Sequence, residues 1–127
     1  MSRRETLAVV AGSGLDLRPL LDEIDEERDF AEVAGLRAAR VDGHAGRFVF
    51  GSSEGSRVIL QCGRLHLYEG LGFAETTAPV AALHGFGACA VVFTNAAGGL
   101  LPEMRPGDLM AADAIRRWPH SRWEGRP

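Results

Sequence analysis

The chain has 127 residues, 46% hydrophobic and 24% charged, which suits one globular domain with a sizeable core. Its formal net charge of -3 gives no global basic footprint for nucleic acid. No apolar run approaches a membrane span, and Met1-Ser2-Arg3-Arg4-Glu5-Thr6 is followed by no signal-peptide core, so a cytoplasmic protein is expected.

Thr6 to Gly12 reads as a continuous apolar strand. It runs into Gly12-Ser13-Gly14, and Leu15 to Glu27 then reads as an amphipathic helix with an acidic face. Strand, Gly-Ser-Gly and helix together are the layout of an anion cradle: backbone N–H groups and the helix dipole favour negative charge. A lone G-x-G is also the mark of many tight turns, and this one has neither dinucleotide spacing nor a P-loop Lys.

Phe30 to Ala39 reads as a strand or an irregular edge, and Val41 to Gly46 as a loop with His44 between glycines. His44 is a polar loop residue or an anion ligand. Arg47 to Phe50 and Arg57 to Cys62 are apolar runs separated by Gly51-Ser52-Ser53-Glu54-Gly55, which signals a hairpin. Cys62 and Cys89 both fall in runs read as buried strands. They are expected as small core residues, with no metal spacing and no disulfide framework.

The segment Gly63-Arg64-Leu65-His66-Leu67-Tyr68-Glu69-Gly70 carries the most chemistry. If extended, it places Arg64, His66 and Tyr68 on one face and Leu65 and Leu67 on the other. Arg offers a planar fork for phosphate oxygens, His a titratable donor, and Tyr a ring to pack on a sugar. The bland alternative is a solvated edge strand. Phe73 to Phe86 reads as a helix with a kink or late start at Pro79.

Ala90 to Thr94 is a short buried strand, and Asn95-Ala96-Ala97-Gly98-Gly99 after it has almost no side-chain volume. Such an end lets a ligand approach the backbone and its N–H groups. In open α/β sheets ligands gather at the carboxyl ends of strands. Gly107 to Ala112 reads as the start of a further strand. From Arg116 the composition changes to an Arg- and Trp-rich tail, expected to be disordered. Ser13 lacks the nucleophile-elbow context, so serine hydrolysis is not expected.

Four stretches, Gly12-Ser13-Gly14-Leu15, Gly43-His44-Ala45-Gly46, Gly63 to Gly70 and Thr94 to Gly99, resemble in order and separation the trimeric class of purine nucleoside phosphorylases. The related methylthioadenosine phosphorylases differ in the Arg-His and Asn-Ala-Ala-Gly-Gly segments. The resemblance runs from about Leu7 to about Asp113 and matches about the N-terminal half of a family member. It implies an α/β fold, with a mixed central sheet flanked by helices and incomplete at the C-terminus. Residues 1–115 would form the N-terminal portion of that domain and 116–127 a divergent tail.

By the same resemblance, Ser13, His44, Arg64, His66 and the backbone N–H of Ala96 hold phosphate, His66 being the catalytic candidate. Tyr68 and Asn95 face the nucleoside. The implied reaction takes purine nucleoside and phosphate to purine base and ribose 1-phosphate, with phosphate as co-substrate and no other cofactor. A homo-oligomer is expected, trimeric by the resemblance. Asp16 stands where the family has Gly, and Ala114 and Arg116 replace a His and an Asn. The alternative reading is a phosphate-binding or interaction module of that fold without chemistry.

Overall fold

The computed structural model describes residues 5–38 and 46–115. The expectations for His44 and for the tail from Arg116 lie outside these residues. The strands are β1 (Thr6–Val10), β2 (Glu23–Asp29), β3 (Arg47–Ser53), β4 (Ser56–Cys62) and β5 (Ala90–Phe93), with helix α1 (Phe73–Gly85) between β4 and β5. One five-stranded sheet has the order β2-β3-β4-β1-β5. The β2–β3 and β3–β4 pairs are antiparallel, whereas β1 lies parallel to both β4 and β5. The chain divides into two units, the first ending at Asn95 and the second starting at Ala96.

Alternation along the strands gives the sheet two faces. On one, Ala8, Val10, Phe48 and Ile59 form a core with Phe30, Leu65, Leu83 of α1 and Ala88. On the other, Val49, Val58 and Leu60 gather Val9, Leu17, Leu21 and Cys62. The Phe48 ring lies 4.9 Å from that of Phe30 and 5.1 Å, edge to face, from that of Phe86. Phe86 makes the same edge contact with Phe50, and the Arg28 guanidinium lies over both rings.

The strands expected at 6–12, 47–51, 57–62 and 90–94 are all present, and the hairpin turns at Glu54-Gly55, but β5 is a largely exposed edge strand rather than a buried one. The helix expected over Leu15–Glu27 is absent. Pro19 sits where that helix would need an N–H donor. Only a 3-10 turn forms, at Arg18–Leu20. The acidic stretch after it becomes β2, an edge strand with every residue exposed except half-buried Arg28. A charged edge of this kind resists pairing with other chains. No helix therefore follows Gly14, and the anion-cradle layout does not form.

The stretch after β2 is irregular, a 3-10 turn at Phe30–Glu32 that buries Phe30. The helix α1 starts at Phe73 and runs through Pro79, so there is no late start. Its first turn is held by the Glu75 carboxylate, which accepts from the Gly72 N–H at 2.8 Å and pairs with Arg37 at 2.8 Å. Pro79 forfeits one internal bond but is fully buried, and the burial offsets the loss. Cys89 corrects a sequence expectation, because it is exposed and precedes β5, with its thiol donating to the Thr6 carbonyl. Among the described residues, no strand follows Phe93 and no helix is long and apolar enough to cross a membrane.

Candidate active site

Because β4, β1 and β5 are adjacent and parallel, their carboxyl ends fall along one edge of the sheet. Three segments leave from that edge: Gly12-Ser13-Gly14 after β1, Gly63 to Gly70 after β4, and Thr94-Asn95 after β5. The topology thus brings Ser13, Arg64, His66, Tyr68 and Asn95 to one end of one sheet. Ala96 opens the second unit.

After β1 the chain makes a tight turn, with Gly14 at φ 75° and the Leu15 N–H donating to the Gly12 carbonyl at 3.2 Å. Ser13 is exposed at its tip. The Asp16 carboxylate is taken up by Arg18, whose side chain donates to both its oxygens at 3.0 and 2.9 Å. These bonds hold the Asp16 carboxyl below its ordinary range. The acidic residue standing in place of a glycine is thereby tied to a cation of its own.

After β4, Gly63 adopts φ 95°, a left-handed conformation that other residues rarely hold. The buried Gln61 side chain donates from Nε2 to the Gly63 carbonyl at 3.1 Å and so fixes this turn. Next to it, burial pushes the Cys62 thiol up. Leu65 is buried in the core, which anchors the segment from below.

The segment is not extended throughout. Leu67–Glu69 form a 3-10 turn, and Leu67 is exposed rather than sharing a core face with Leu65. The turn is closed by Glu69, whose carboxylate accepts from the His66 N–H at 2.8 Å. His66 and Tyr68 nevertheless come together: their rings stack at 4.7 Å with planes 12° apart. Tyr68 remains 81% exposed, so its ring is available to a ligand.

Arg64 stands out electrostatically. Among the described residues, Arg28, Arg47 and Arg64 are half-buried. Arg28 pairs with Glu26, and Arg47 with Glu27 and Asp29. Arg64 has no carboxylate partner among the described residues. A partly desolvated guanidinium without a protein counter-charge favours an anion. No group of three His, Cys, Asp or Glu side chains is arranged to hold a metal ion among the described residues.

Sequence reasoning missed three supporting residues. Glu69 was legible, because it stands three positions after His66 at capping-box spacing. Gln61 was legible as the polar member of the apolar run Val58-Ile59-Leu60-Gln61. Thr94 left no signal, since its role depends on which strand lies beside it.

Three parallel strands with glycine turns at their carboxyl ends, and an arginine there without a carboxylate partner among the described residues, suit an α/β protein that handles an anion. The phosphorylase superfamily model matches residues 6–125, and the chain belongs to that superfamily. It is 38% identical over 106 residues to purine nucleoside phosphorylase 1 of Geobacillus stearothermophilus, which covers 82% of this chain and 38% of the relative. It is 39% identical over 107 residues to the purine nucleoside phosphorylase of Rattus norvegicus, covering 84% of this chain and 37% of that protein.

Among solved structures, the Schistosoma mansoni purine nucleoside phosphorylase in complex with acetate superposes with a TM-score of 0.71 at 28% identity, over 85% of this chain and 40% of the other. Isoform 2 of that organism's enzyme, solved with cytosine and ribose-1-phosphate, gives a TM-score of 0.66 at 31% identity, over 82% and 36%. The chain thus spans well under half the length of the relatives it matches.

Proposed function

We propose that this chain forms the phosphate-handling part of a purine nucleoside phosphorylase. The observation that carries the reading is Arg64, a half-buried cation without a carboxylate partner among the described residues, at the carboxyl ends of the three parallel strands. Ser13, Arg64 and His66, with His44, are the proposed phosphate donors. Tyr68 and Asn95 are the proposed nucleoside contacts. In the proposed reaction phosphate attacks the anomeric carbon of the ribose as the purine leaves. Ribose gains positive charge and the base negative charge. The residues named here would act by fixing phosphate in line and balancing that charge, with His66 as a proposed donor to the anion. Assembly as a homo-oligomer belongs to the same proposal.

A second reading is a phosphate-binding or interaction module of the same fold without turnover. Calorimetric titration should find phosphate binding under either reading, and a coupled assay for hypoxanthine released from inosine separates them. Family-like turnover would sink the module reading. Absence of phosphate binding would sink both.

A further inference from the structure

The carboxyl ends of β1 and β5 are joined by one side chain. The Thr94 hydroxyl accepts from the Gly12 N–H at 2.9 Å and donates to the Val10 carbonyl at 3.0 Å. The Thr94 backbone N–H donates to that same carbonyl, also at 3.0 Å. Gly12 is pressed against this end: a Cβ built on it would lie 2.8 Å from the Thr94 carbonyl oxygen and 3.0 Å from the Asn95 Cα. A single hydroxyl therefore spans the last residue of β1 and the first residue of the turn that presents Ser13. It does so from the residue immediately before Asn95.

We infer that Thr94 is a positioning residue, which sets the Gly12-Ser13-Gly14 turn against Asn95 and so fixes the Ser13 donor for phosphate. The inference rests on the reading of this edge as a phosphate site. The Gly12 N–H is committed to Thr94 and is not offered to a ligand. The anion donors of the turn are then the Ser13 N–H and hydroxyl and the Gly14 N–H. Asn95 and Ser13, on different segments, keep their spacing because Thr94 holds both backbones. A valine has the same shape but can neither accept from Gly12 nor donate to Val10. It leaves the Gly12 N–H without a partner, and the turn is free to move.

The test uses the full chain, with inorganic phosphate as the probe. In Thr94→Val, amide hydrogen exchange at Gly12 should quicken about tenfold, and phosphate should bind roughly five- to tenfold more weakly, as expected when the hydroxyl's two neutral hydrogen bonds are lost. Thr94→Ser, which keeps the hydroxyl, should restore both. A residue that only stabilised the fold would lower the melting temperature and leave phosphate affinity unchanged, and that result overturns the inference. Unchanged Gly12 exchange overturns it too. If Thr94→Val does not fold, Thr94→Ser and Thr94→Cys decide: weaker binding by the Cys variant supports the role, and equal binding overturns it. A wild-type chain that binds no phosphate overturns the site reading and this inference together. A wild type that binds, with a Val variant that binds equally, overturns the inference alone.

Discussion

Arg64→Ala should weaken phosphate binding by roughly ten- to a hundredfold, the largest loss from any single change at the sheet edge. Ser13 and the backbone N–H groups are neutral donors. Arg64 carries a permanent charge, and charge-assisted hydrogen bonds contribute about 1.5–3 kcal/mol each. Its guanidinium is half-buried with no carboxylate competing for it among the described residues, so little of that attraction is spent on the protein itself. Arg64→Lys should fall between the two, because it keeps the charge but loses the planar fork. Neither change should lower the melting temperature, since no ion pair among the described residues is broken. Calorimetry on the three proteins checks this. Equal affinity for wild type and the alanine variant would remove Arg64 from the site.

The largest effect on stability is expected at Phe48. Its side chain is fully buried, and its ring touches both Phe30 and Phe86. It therefore links the turn after β2 to the segment after α1 across the sheet face. Truncation to alanine removes a large buried ring and leaves a cavity that the rigid strand pairs on both sides cannot close. The expected loss is about 3–5 kcal/mol. Domains of this size are stabilised by about 5–15 kcal/mol in all, so the variant should be near the limit of folding at 37 °C. Phe48→Leu should retain most of what is lost. Urea unfolding followed by circular dichroism measures the difference, and a loss below about 1 kcal/mol would mean that the site collapses around the missing ring.

Sequence and structure agree where the signal is a run of apolar residues. Leu7 to Val10, Phe48 to Phe50, Val58 to Leu60 and Ala90 to Phe93 are legible because each is apolar and rich in β-branched or aromatic residues. The failures have particular causes. The acidic run over Glu23–Asp29 has a helical composition, yet it pairs with β3 because the hairpin offers an open edge and Pro19 blocks the helix. Cys89 was misjudged because burial depends on position: it lies just outside its strand. At the site, Arg64 and His66 could be read as chemistry in advance. Their setting could not. The Leu67–Glu69 turn, the His66–Tyr68 stack and the Thr94 link depend on local closure and on neighbours distant in sequence.

The central place of β1 has a consequence for the birth of the molecule. Thr6 pairs with Arg57, and Leu7 with Ala90, so the strand made first must wait for both its neighbours. At roughly 5–20 residues per second, translation leaves β1 without β5 for on the order of several seconds. During that time β2, β3 and β4 can close locally as a meander. The nascent chain then holds an apolar strand that has at most one partner. Ribosome-arrested chains long enough for β4 but not β5 to have left the exit tunnel should protect the β3–β4 amides from exchange and recruit hydrophobic-binding chaperones at Leu7 to Val10. Arrest after the β5 segment has left the exit tunnel should release them, and equal chaperone crosslinking at both lengths would count against this order of assembly.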